Sequence, residues 1–126
     1  MKVIMTNLEI LNKYIELIKI FNETDALILP IKVNYTLQKN IASLSIQVSL
    51  IEKMRDSIGK KFGTYTPDEN MYTIPPENLE RASDELKILM NSKEEVEIRK
   101  IAFQELQDLT LTSKQMQALL FMIEEE

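Results

Sequence analysis

The clearest order along this chain is a run of apolar positions at Leu37, Ile41, Leu44, Val48, Ile51, Ile58 and Phe62, broken once by Arg55. The steps alternate between four and three residues throughout, which is the heptad spacing of a helix packed along a line against a helical neighbour. Pro30 stands just before the run; proline disfavours helix in the residue before it, Leu29, and is tolerated at a helix start. The spacing therefore predicts a helix from about Ile31 to Ile58, roughly 42 Å long at 1.5 Å per residue. Gly63 is a candidate stop behind it. A globule of this chain length is about 36 Å across, so such a helix either protrudes or is covered at its end. The seam suits three neighbours equally: an antiparallel first helix, a second copy in a homodimer, or a bound partner.

Shorter patterns flank this helix. Met1 to Met5 reads as a short strand, and Asn7 as an N-cap whose side-chain oxygen accepts an orphan backbone N–H. Leu8, Leu11, Tyr14, Ile15, Leu17, Ile18 and Phe21 then form a helical stripe broad enough to need contact on two sides. Asn22 to Asp25 ends it. Thr64 to Asn70 is a polar turn segment, and Met71 to Ile74 alternates weakly, as a short strand would. Pro75-Pro76-Glu77 opens a third helix with Leu79, Ala82, Leu86 and Leu89/Met90 on one face, ending near Asn91-Ser92. Val96 and Ile98 alternate with Glu95, Glu97 and Arg99, the pattern of a half-buried strand, whose partner is either Met71–Ile74 or Val3–Met5. Phe103, Leu106 and Leu109 follow irregularly. Thr112 then begins a last helix, with Gln115 completing a capping box and Leu111 stapled to Met116. Its core face is Met116, Leu119, Leu120 and Ile123. Glu124 to Glu126 is a solvated tail whose charge opposes the helix dipole, so fraying is expected there. The chain reads as a single domain over 1–126. The expected fold is mainly α (α+β): four helices, one of them long and central, with a small two- or three-stranded antiparallel sheet.

Composition agrees and narrows the chemistry. Of the 126 residues 44% are apolar and 28% charged, and only 2 are Gly and 4 Pro, too few for the many tight turns of an all-β fold. Cys and His are absent. Thiol nucleophiles, disulfides, Ser–His and Cys–His catalysis and zinc hydrolysis are thereby excluded. The carboxylate groups at Asp68-Glu69, Glu94-Glu95-Glu97 and Glu124–Glu126 lack the spacing of a hard-cation loop, and read as solvated faces. Gly59-Lys60 has no upstream glycine, so a phosphate-binding loop is ruled out. No metal and no cofactor is expected, nor any catalysis.

Net charge is −5, and the longest basic run is Lys60-Lys61. That disfavours nucleic acid, which needs a dense cationic face. The longest wholly apolar run, Ala118 to Ile123, is far short of a membrane span. The first residues lack the apolar core and cleavage site of a signal peptide. A reducing cytoplasm is the expected setting.

What is left is surface complementarity, and the candidate partner-binding residues are Val48, Ile51, Arg55, Ile58 and Phe62 on the distal half of the long helix. Tyr65, Met71 and Tyr72 join them from the irregular segment, because aromatics and Met are enriched in binding surfaces and loops carry function. Arg55 has two readings: a snorkelling stem over the seam, or a charge that sets register against a partner.

Three stretches together resemble a family of small uncharacterised proteins of tailed bacteriophages and prophages of Gram-positive bacteria. They are Leu29-Pro30-Ile31-Lys32-Val33-Asn34-Tyr35 with Leu37, Asn40 and Ile41; then Glu95-Val96-Glu97-Ile98; then Leu111-Thr112 and Gln115-Met116 through Phe121-Met122-Ile123-Glu124. The Lys60–Asn70 loop is shorter than in that pattern. The resemblance implies a phage origin and no defined activity. Given that origin, the expected role of a small acidic binder is in the host cytoplasm, inhibiting a host or anti-phage defence protein, or alternatively in the virion as a head or tail accessory component.

Overall fold

The computed structural model describes residues 1–22 and 29–124. Strand β1, Lys2–Thr6, runs directly into helix α1, Asn7–Leu17. The N-cap is Thr6, one residue earlier than Asn7: its hydroxyl accepts from the Glu9 amide at 3.1 Å, and the Glu9 carboxylate reaches back to the Thr6 amide at 3.2 Å. This reciprocal capping box satisfies two donors that a bare helix start leaves orphaned. A single π-helical turn, Ile18–Asn22, continues α1. Of the expected α1 stripe Leu17 is buried, but Ile10 outside it is buried too, while Leu8 and Ile15 remain exposed.

The long helix α2 spans Ile31–Phe62, 32 residues and about 48 Å. It runs four residues past the expected end because Gly59 lies within the helix and Gly63 caps it, donating to the Gly59 carbonyl at 2.8 Å. A short antiparallel hairpin follows, β2 (Thr64–Thr66) with β3 (Met71–Thr73), turning at Asn70 with φ of 50°. Asn is among the few side chains that accept that left-handed conformation. Helix α3 is Pro76–Asn91, with Pro76 in its first turn as its rigid φ favours. Strand β4, Lys93–Glu97, pairs antiparallel with β1, from Lys2↔Glu97 to Thr6↔Lys93. The segment Met71–Thr73 thus pairs within its own hairpin and not with β4. A two-residue strand β5 (Ile101–Ala102), a 3-10 turn (Phe103–Leu106) and helix α4 (Ser113–Leu119) complete the order. Helix α4 starts at the Thr112–Gln115 capping box as its sequence signals. It tightens into a 3-10 turn, Leu120–Met122, and leaves as β6, Ile123–Glu124, parallel to β5. Among the described residues the expected small sheet is three separate strand pairs, two antiparallel and one parallel. Glu124 belongs to a strand, and Glu125 and Glu126 lie outside the described residues.

The seam of α2 is covered by the chain's own elements. Asn7 sits beside Gln47, whose amide donates to the Asn7 Oδ1 at 3.1 Å, and α1 covers the half of α2 before that point. Helix α3 covers the rest, antiparallel: its start meets the end of α2, where Asn78 donates to the Phe62 carbonyl at 3.0 Å. Its last turn returns to Asn7, which donates to the Leu89 carbonyl at 2.8 Å. The two shorter helices thus lie end to end along the long one, with Asn7 at the junction. Leu37, Ile41, Leu44, Ile51 and Phe62 are buried as the heptad pattern requires. One buried cluster joins Leu37, Ile41, Leu44 and Ile51 to Ile10, Leu17, Val96, Ile98, Ile101, Leu119 and Met122. On α3 only Ala82 is fully buried; Leu79 and Leu86 of the expected face are exposed.

Candidate functional site

On its distal half α2 presents Met54, Ser57, Ile58 and Lys61, spaced i, i+3, i+4, i+7. Helix α3 and its capping residue Ser92 present Glu85, Ile88, Leu89 and Ser92 at the same spacing, and the two stripes form the walls of an open groove of about 430 Å³. Spacing of this kind puts four side chains on one face of a helix. The groove is mostly apolar because its polar members are already occupied. Ser57 donates to the Lys53 carbonyl at 3.0 Å and Ser92 to the Ile88 carbonyl at 2.8 Å, so both hydroxyl protons are turned to their own helix. Lys61 and Glu85 pair across the helices at 2.6 Å. Met54 and Ile88 stand out, the latter 70% exposed, and Leu50 one turn before Met54 is also exposed.

A second constellation lies at the α2 end against the β2–β3 hairpin. The Tyr72 ring lies against Gly59, so close that a Cβ there would come within 2.5 Å of its Cδ2. This contact is what requires glycine in an otherwise regular helix. The Tyr72 hydroxyl donates to Asp56 at 2.7 Å, and Asp56 pairs with Lys60 at 3.0 Å. The Tyr72 hydrogen bond first, then Lys60, holds the Asp56 carboxyl below its ordinary value; the bond to Asp56 correspondingly raises the Tyr72 phenol. Tyr65 stacks obliquely on Tyr72, centroids 5.3 Å apart, and its hydroxyl donates to Asn70 at 2.6 Å.

The sequence-derived candidates divide between these places. Ile58 lines the groove. Tyr65 and Met71 are exposed on the hairpin, and Tyr72, paired across it with Tyr65, is half-buried. Arg55 points to solvent with Glu52 at 3.7 Å. Ile51 and Phe62 are 0% and 6% exposed, and half-buried Val48 packs against the buried cluster that contains Ile51. A heptad seam marks what a helix must cover, and here the chain covers it itself. Sequence reasoning missed Met54 and Ile88, which sit beside the seam and carry the apolar groove. The available signal was the Leu50, Met54 and Ile58 ladder at four-residue steps, overlapping the heptad and shifted from it.

Among the described residues no three carboxylates converge on a cation site, and no helix is long and apolar enough to cross a membrane. No family model, curated protein or solved structure matches the chain.

Proposed function

We propose that the protein acts without catalysis, by binding another protein, and that the α2–α3 groove receives the apolar face of a partner helix. The observation that carries this reading is the pair of facing i, i+3, i+4, i+7 stripes, open to solvent and apolar between Lys61–Glu85 and Ser92. A helix laid there would bury its own i, i+3, i+4, i+7 side chains against Met54, Ile58, Ile88 and Leu89. In a phage setting, the partner is a host or defence protein, inhibited by occupancy of its own helix.

The reading is tested by capture from host lysate with intact protein and with Met54→Asp and Ile88→Asp. Both substitutions replace exposed side chains, so the fold is retained. Each is expected to weaken capture of a soluble host protein, by about 2 kcal/mol from the lost apolar burial. A target retained equally by both variants refutes the groove. Recovery of the wild-type chain in purified particles, with no soluble host target, replaces the inhibitor reading with a virion or assembly role.

A further inference from the structure

The first strand carries an inference of its own. In the β1–β4 pair, positions bonded across the pair alternate with positions whose backbone groups point away from it. The Ile98 amide donates to the Met1 carbonyl at 2.9 Å and the Asn7 amide to the Ser92 carbonyl at 2.9 Å, which fixes the phase of the ladder. Val3 and Met5 are therefore the positions bonded to β4, and the N–H and C=O of Lys2, Ile4 and Thr6 point to the free side of β1. No strand takes them up among the described residues. The edge of β4 is different, because α2 borders it.

Thr6 has nothing to offer on this edge, since it caps α1. Its amide donates to the Glu9 carboxylate at 3.2 Å, and the carbonyl of an N-cap residue accepts the first bond of its helix. Lys2 and Ile4 are left with both backbone groups open among the described residues. Ile4 is 66% exposed, and Val3 between them is half-buried. The Lys2 ammonium lies 3.8 Å from Glu95 on β4, on the side away from the free edge.

We propose that β1 pairs antiparallel with β1 of a second copy, around a twofold axis at Val3. Unpaired strand edges are templates for such pairing, and an isologous contact closes at a dimer. In this register Lys2 of each copy lies opposite Ile4 of the other, and Val3 meets its own counterpart. The Lys2 amide donates to the Ile4 carbonyl across the axis and the Ile4 amide to the Lys2 carbonyl, so every open group on both edges is bonded. The two open residues straddle Val3, which is the spacing a twofold antiparallel pair requires, and that symmetry selects a second copy as the occupant. Centring on Ile4 would instead set Lys2 against Thr6, whose groups are already used. Centring on Lys2 would oppose like charges directly across the strands, which repel. The pairing uses none of the groove residues and is independent of what the groove binds.

The test is sedimentation equilibrium of the intact protein over a concentration series, in which the molar mass should rise from 14.7 kDa toward that of a dimer. Ile4→Pro removes an amide that β4 does not use, a place where an edge strand tolerates proline. Ile4→Lys, at an exposed side chain, sets a cation opposite Lys2 of the other copy. Each is expected to weaken association about tenfold or more, with the urea midpoint held near that of the wild type. The chain has no Cys, so single introduced thiols report the register. Facing residues at a non-hydrogen-bonded site have Cα atoms about 4.5 Å apart, within the span of a disulfide. Val3→Cys should therefore cross-link into a dimer under mild oxidation, and Ile4→Cys, which faces Lys2 and not itself, much more slowly. The proposal is overturned if the protein stays monomeric throughout the series, if the Ile4→Lys variant associates as the wild type does, or if Ile4→Cys cross-links as readily as Val3→Cys. A dimer abolished by Met54→Asp or Ile88→Asp but not by the Ile4 variants would also overturn it, by placing the contact in the groove.

Discussion

The two halves of α2 are built from one heptad pattern yet held in different ways. From Val33 to Leu44 one face of the helix is fully buried, at Val33, Leu37, Asn40, Ile41 and Leu44, and Asn40 fastens the β4–β5 connection to it through two bonds to one residue. From Val48 to Phe62 it has α3 along one side and the hairpin at its tip. The polar contacts there are exposed: Lys61 with Glu85, Lys60 with Asp56, Tyr72 with Asp56. Exposed ion pairs contribute little, whereas buried apolar side chains and satisfied buried amides contribute much. Stability is thus concentrated in the proximal half, and the distal half is left with an uncovered apolar groove. Regions of low local stability and open surface are the ones free to recognise partners.

Substitutions can break that contrast. Leu44→Ala, at a fully buried proximal position, is expected to cost about 3 kcal/mol in urea unfolding. Ile58→Ala, at the half-buried distal counterpart, should cost about 1 kcal/mol, because a site open to the groove loses less burial. Equal losses would erase the contrast. Asn40→Leu strands the Arg99 amide and carbonyl and should cost about 2 kcal/mol. Its amide exchange should rise at Arg99 and not at the β2–β3 hairpin.

Gly59→Ala sharpens the distal side. In an ordinary helix interior this change gains about 0.5–1 kcal/mol. Here the new Cβ meets the Tyr72 ring near its root, at 2.5 and 2.7 Å, so a net loss is expected, with the Tyr72 signals displaced. A net gain would show that the hairpin is not seated on α2.

The smallest effect concerns pH. The Asp56 carboxyl is lowered in the fold, first by Tyr72 and then by Lys60, so its contribution is present above its unfolded pKa and fades as pH falls through the folded one. The Tyr72 phenol is raised, first by its bond to Asp56, so its contribution is present below its unfolded pKa and fades as pH rises through the folded one. The wild type should therefore exceed Tyr72→Phe in urea midpoint across the neutral range and converge with it at both extremes. A pH-independent difference would mean that packing over Gly59, and not the hydrogen bond, is what the ring supplies.

Much of the architecture was legible. The α2 heptad, Pro75-Pro76 opening α3, the Thr112–Gln115 box and the alternation of Val96 and Ile98 all lie within one element and express local geometry. The Thr6-Asn7-Leu8-Glu9 box was equally local, and its Ser/Thr-x-x-Glu form was the sign that Thr6, and not Asn7, caps α1. Other features had no local mark. Asn7 and Asn40 look like surface residues in sequence, and each is buried because a backbone carbonyl far along the chain, Leu89 or Arg99, needs a donor there. The groove residues Met54 and Ile88 become a pair only once α3 lies antiparallel on α2.

The sequence by itself determined where the four α-helices and the β1 and β4 strands lie, which face of α2 must be hidden, and that Cys and His chemistry is closed to these residues. Only the tertiary structure decided what hides that face: α1 and α3 laid end to end, with Asn7 between them. The physical reason is that periodicity specifies a face to be buried but not its cover, since apolar burial is non-directional. The choice falls to contacts between distant residues, Asn7 with Leu89 and Asn40 with Arg99, whose partners no single segment contains.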